Sequence, residues 1–252
     1  MKFLIVFFLF SIYSINAQNI YCPKSLIIGD FDKNEYQIMY PFGWSEGGYF
    51  AYILQDMNQK ESADYTFKVI VQNMKTDSIA WSKDIIFNYD DNPNVKWECD
   101  SNPSVDSASD YIKKYNYCFL EQILWPKYKE EVEIELKKYN ISINSQVLIQ
   151  STELLKSKIK IDEVKTVYDD YCVDKYEIIL KENEKIKKIV FSNDSQKNNT
   201  LCGSSNQIWY RNFSIKGYFK SPFEDRVAIV VFETTNGYEE TFETPFLVGA
   251  KF

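Results

Sequence analysis

The sequence predicts an α+β fold, with mainly antiparallel β-sheet at both ends of the chain and a helical middle segment. Three observations carry this. Strand-like alternation fills the stretch from Ser25 to Trp81. A helical stripe follows in "WPKYKEEVEIELKKYN", and strand-like runs return in the last hundred residues. Strands, then helices, then strands is the order that segregates helix from an antiparallel sheet.

Taken in order, "SLIIGDF" reads as a short strand and "GDFDKNE" as a turn, and "EYQIMYPF" leads into "FGWSEGGYFAYI". Beyond Gly48, Tyr49, Ala51 and Ile53 face one way and Phe50, Tyr52 and Leu54 the other. Both faces are apolar, which marks a central strand. Tyr65, Phe67, Val69 and Val71 then alternate, Asn73 to Asp77 make a polar turn, and Ile79 and Trp81 return. That is a hairpin. From Asn88 to Asp110 the chain turns rich in Asp, Asn, Ser and Pro, the composition of a long surface loop.

The helical middle comes next. "DYIKKYNYCFLEQILW" places Ile112, Tyr115, Phe119 and Ile123 on one face of a helix. In the following segment Tyr128, Val132, Leu136 and Tyr139 form an apolar stripe. Pro126 suits the first turn, glutamates gather early, and Lys137 and Lys138 sit late, where the helix dipole favours them. Glu133 and Lys137 have the spacing of an ion pair. Further on, a hairpin is expected around Glu182 to Glu184. Asn236-Gly237, between "RVAIVVFETT" and "YEETFETPFLV", is the strongest short hairpin signal in the chain.

The N-terminus predicts export. Lys2 precedes an apolar run from Phe3 to Leu9 that continues, with one Ser, to Tyr13; small and polar residues then lead to Ala17. This is the charge, core and cleavage order of a signal peptide, residues 1–17, leaving 18–252 as a single α+β domain. Tyr21 before Cys22 is too large for a lipid-attachment site. The expected destination is therefore secreted or periplasmic, with no transmembrane helix after cleavage; "VAIVVF" is only a strand's length. The chain carries a net charge of −7. Nucleic acid needs a basic footprint, so it is excluded as a partner.

There is no histidine in the 252 residues. Histidine-activated serine or cysteine nucleophiles cannot form within this chain, nor can imidazole-ligated metal sites. The five cysteines are Cys22, Cys99, Cys118, Cys172 and Cys202. None forms a CxxC, and an odd count in an exported protein leaves at least one unpaired or intermolecular. Cys99 and Cys118 flank the passage from loop to helix, and Cys172 and Cys202 flank the third-quarter hairpin. Pairing near neighbours joins Cys99 to Cys118 and Cys172 to Cys202, and leaves Cys22 free.

Trp44-Ser45, Gly47-Gly48 and the aromatic strand after them resemble the opening of a blade in propellers of the periplasmic TolB-like kind. "TFKVIVQNMKTDSIAW" resembles the next pair of strands. A propeller needs about four or more such units, and this one occurs once. The chain is also similar to an uncharacterised family of predicted secreted bacterial proteins. These join one N-terminal "GWSxxGxFAY" hairpin to a C-terminal strand pair, here "SPFEDRVAIVVFETTNGYEE". The resemblance covers about a quarter of the chain and implies no activity. It implies a blade-like hairpin, not a propeller.

Carboxylates are the remaining candidates for chemistry. Asp30-x-Asp32-x-Asn34 begins like an EF-hand loop. Glu35 stands where glycine is required and Pro41 where the closing glutamate belongs, so that site is rejected. Asp90, Asp91, Asp100, Asp106 and Asp110 read first as a solvated acidic loop and second as a calcium site. Asp169, Asp170 and Asp174, and Glu239, Glu240 and Glu243, read as exposed charges. Ser157-x-x-Lys160 matches a Ser-Lys spacing inside a lysine-dense run, where chance supplies it. Asn140, Asn193, Asn198 and Asn212 head glycosylation sequons. The closing "FLVGAKF" is similar to the last strand of an outer-membrane barrel.

The sequence thus predicts no catalytic, metal or cofactor residue. It predicts an exported, non-catalytic binding or structural protein, its partner an unidentified protein or cell-envelope component. An outer-membrane β-barrel and a histidine-free carboxylate hydrolase are the alternatives.

Overall fold

The computed structural model describes residues 22–30, 35–55, 64–88, 117–154, 158–169, 172–194, 210–236 and 241–252. Five strands, β1 (Leu26–Asp30), β2 (Glu35–Trp44), β3 (Tyr49–Gln55), β4 (Asp64–Asn73) and β5 (Ser78–Asn88), pair antiparallel in chain order. Period-two alternation gives this sheet two apolar faces. Ile38, Tyr40, Phe42, Ala51, Ile53, Phe67, Val69 and Val71 enter one core. Met39, Trp44, Phe50, Tyr52 and Ile70 enter another. The β2–β3 register shifts between Pro41 and Gly43. That irregularity lets Phe42 and Trp44, only two residues apart, face opposite cores.

A π-helical segment, Tyr117–Leu124, runs into α1 (Trp125–Lys138). Together they cover the first face, with Phe119, Leu120, Leu124, Trp125, Val132 and Leu136 buried against the sheet. Pro126 lies in the first turn and Lys137 and Lys138 in the last. Lys137 pairs with Glu133 at 3.2 Å. The first turn carries no acid; the glutamates expected early begin only at Glu130. The chain then adds β6 (Ser142–Ile143) beside Gly43 and Trp44 of β2.

The second sheet contains β7 (Ile159–Asp169), β8 (Cys172–Glu182), β9 (Lys185–Asp194), β10 (Arg211–Lys220), β11 (Arg226–Asn236) and β12 (Thr241–Lys251). β8 lies between β7 and β9, and β11 between β10 and β12, all antiparallel. One parallel bridge, Arg211↔Cys172, joins the two triplets. Asn183 and Glu184 form the β8–β9 turn with φ of 51° and 64°. Positive φ at both central residues is the geometry that matches strand twist in a two-residue hairpin.

The two triplets fold toward each other around a third core that includes Tyr176, Ile178, Phe213, Tyr218, Ile229 and Val248. Tyr176 stacks on Phe213 at 4.5 Å, and Phe191 of β9 meets Phe246 of β12 at 5.3 Å. The other face of β10–β12 lies on the first sheet. Phe219, Ala228, Val230, Phe232 and Leu247 pack there against Trp44, Phe50 and Tyr52. Phe50 stacks on Phe219 at 5.2 Å. The order of layers is helix, sheet, strands β10–β12, strands β7–β9. Each fully buried Phe or Ile in such a layer contributes about 1.5–3 kcal/mol.

The expected balance of α and β is therefore corrected. The described residues are mostly strand, in two sheets, with one short helical stretch and no helical middle segment dividing two β regions. The helical stripe at Tyr128, Val132 and Leu136 is real, but it serves as a cover on one sheet. What the alternation hid is β10. Its register shifts between Ile215 and Gly217, so the period of two breaks within "RNFSIKGYFK". Of the stripe expected at Ile112, Tyr115, Phe119 and Ile123, the first two lie outside the described residues; Phe119 is buried and Ile123 packs against the same core, and the wider turn of the π-helical segment buries Leu120 and Leu124 as well.

Candidate functional site

"FGWSEGGYFAYI" forms the end of β2, a tight turn and β3. Gly48 has φ of 85°, and its N–H donates to Ser45 O at 3.0 Å, closing the turn. Trp44 is wholly buried, 4.9 Å from Phe50, and Tyr52 is buried beside it. Tyr49 is half-buried against Tyr139 at 5.0 Å. Trp44, Phe50 and Tyr52 are core side chains with no open face for stacking a ligand. "FLVGAKF" closes β12, with Val248 and Ala250 in one core and Leu247 in another.

Most of the acidic candidates fall outside the described residues, among them Asp32, Asp90, Asp91, Asp100, Asp106, Asp110, Asp170, Glu239 and Glu240. Glu243 is described and is buried rather than exposed. Its main-chain oxygen accepts from Gln37 Nε2 at 2.9 Å. No group of three or more potential metal ligands occurs among the described residues. Cys172 is disulfide-bonded. The side chains of Cys99, Cys118 and Cys202 lie outside the described residues. Cys22 is a free thiol.

Several interior polar side chains act as struts between layers. Gln72 Nε2 donates to Leu247 O at 3.0 Å and to Asp77 O at 3.1 Å, while its Oε1 accepts from Tyr52 at 3.0 Å. Asp77 Oδ1 accepts from Gly249 N at 2.6 Å. Arg226 donates to Met74 O at 2.7 Å and to Glu224 at 2.8 Å. Farther along, Lys165 holds Glu163, Asn212 and the Phe213 carbonyl together, and Tyr176 donates to Glu163 at 3.1 Å. Arg211 binds Glu233 at 2.7 Å above the Phe213 ring.

One group of reactive side chains is arranged differently. Cys22 precedes β1, is half-buried, and packs against the core under the helix. The register Leu26↔Met39 leads that part of the chain toward Tyr40 of β2. Tyr40 is 3% exposed, and its phenol oxygen has no hydrogen-bond partner. Glu121 enters from the π-helical segment. Burial, then the Glu121 charge, pushes the Cys22 thiol up to about 12. Burial, then Cys22 and Glu121, raises the Tyr40 phenol well above its ordinary range. Burial also raises the Glu121 carboxyl. Each group sits where its charged form is disfavoured.

Sequence reasoning noted Cys22 as the odd thiol but missed Tyr40 and Glu121. Neither residue belongs to a motif. Cys22 packs against the core that holds Tyr40, and the Glu121 charge acts on both. A π-helical segment, frequent at functional sites, has no sequence signature that would have pointed there. Comparison with known protein families, with curated proteins and with solved structures finds no match to this chain.

Proposed function

We propose that the protein is an exported, non-catalytic binding or structural component of the cell envelope or extracellular space. Its ligand is a protein or an envelope component. One observation carries the non-catalytic part of the reading: four polar side chains between the two sheets are spent on joining layers. Gln37, Gln72, Asp77 and Arg226 all bind main-chain atoms of the facing sheet. A side chain held this way is not available to move a proton on a substrate. Export rests on the order of charge, apolar core and small residues in positions 1–17. The single blade-like hairpin at Gly43 to Tyr52 belongs to the same proposal, as a scaffold element.

The test uses the mature, oxidised protein as bait on the envelope fraction of its own source, alongside mass spectrometry of the native N-terminus. A specific partner retained through washing, with a start at or near Gln18, is the expected result. An intact Met1 on envelope protein overturns export. Heat-modifiable migration from membranes overturns the soluble reading in favour of the barrel.

A further inference from the structure

We draw no further inference here: the strongest candidate, the outward face of strands β7 to β9, where exposed Val164, Ile186 and Ile189 share one side of the sheet with buried Ile179, carries nothing because nothing in the structure shows what covers it.

Discussion

The side-chain amide of Gln72, on β4, donates to the main-chain oxygen of Leu247, on β12, at 3.0 Å. The two residues lie in different sheets, 175 positions apart in the chain. Gln72 is one of three such contacts along β12. Gln37 reaches Glu243 O, and Asp77 receives Gly249 N–H. The main-chain pairing of β12 in its own sheet is with β11. On β12, side chains of the first sheet therefore do part of what a further strand would do.

Gln72→Leu tests that arrangement. The substitution leaves Leu247 O and the Tyr52 hydroxyl buried without partners, at about 1–3 kcal/mol for each orphaned group. Tyr52→Phe should cost less, and in the double variant the two losses should fall short of adding. Urea unfolding of the four proteins measures the coupling. Strict additivity would show that the Tyr52–Gln72 bond contributes nothing.

Gly249 lies against the other sheet. A Cβ built on it would sit 1.9 Å from Met74 O, and that atom is backbone already held by Arg226. Gly249→Ala must therefore separate the sheets locally, and a drop in melting temperature of several degrees is expected. Gly47→Ala is the control, because its nearest neighbours are side-chain atoms at 3.3 Å or more and its φ is not positive. Equal stability of the two variants would contradict the close approach.

Trp44 is fully buried in the core between the sheets. Trp44→Ala should cost on the order of 3–5 kcal/mol through the cavity it leaves. Its indole N–H has no acceptor. Trp44→Phe removes that orphan along with some volume, so it should cost clearly less than the alanine change. Denaturant midpoints decide this. A Trp44→Ala protein of parental stability would return the residue to the surface.

Asp77 carries a pH prediction. Burial raises its carboxyl pKa, and the Gly249 N–H, Arg226 and Lys188 oppose that rise without cancelling it. A carboxyl raised in the folded state is most stabilising when protonated. Stability falls as pH climbs from the ordinary aspartate value of about 3.9 through the folded one, and the cost is then constant. Asp77→Asn keeps an oxygen for Gly249 and suits the residue's φ of 60°. The variant should match or exceed the parent in stability near neutral pH, and that gain should shrink toward about pH 3. A gain that grows on acidification would refute the assignment.

Much of the local structure was legible because it obeys local rules. Phe67, Val69 and Val71 alternate, so β4 and its return in β5 could be read directly. Val132 and Leu136 are four apart, so α1 could be read too. Trp44-Ser45 and Gly47-Gly48, with the aromatic run after them, could be read as one hairpin, which β2, its turn and β3 form. These follow from steric preference and hydrophobic period, which act within a few residues of each other.

The sequence by itself determined the strand faces, the helix stripe, the lack of imidazole chemistry and the expectation of export. Tertiary structure alone decided the fold class, because a helix read in isolation does not say whether it stands between sheets or lies on one. It also decided which core each face enters, the bulges that hid β10, and the Gln72–Leu247 and Asp77–Gly249 contacts. The packing of Cys22 against the core that holds Tyr40 belongs to the same class. All of these join residues far apart in the chain, through geometry that exists only once the layers have closed.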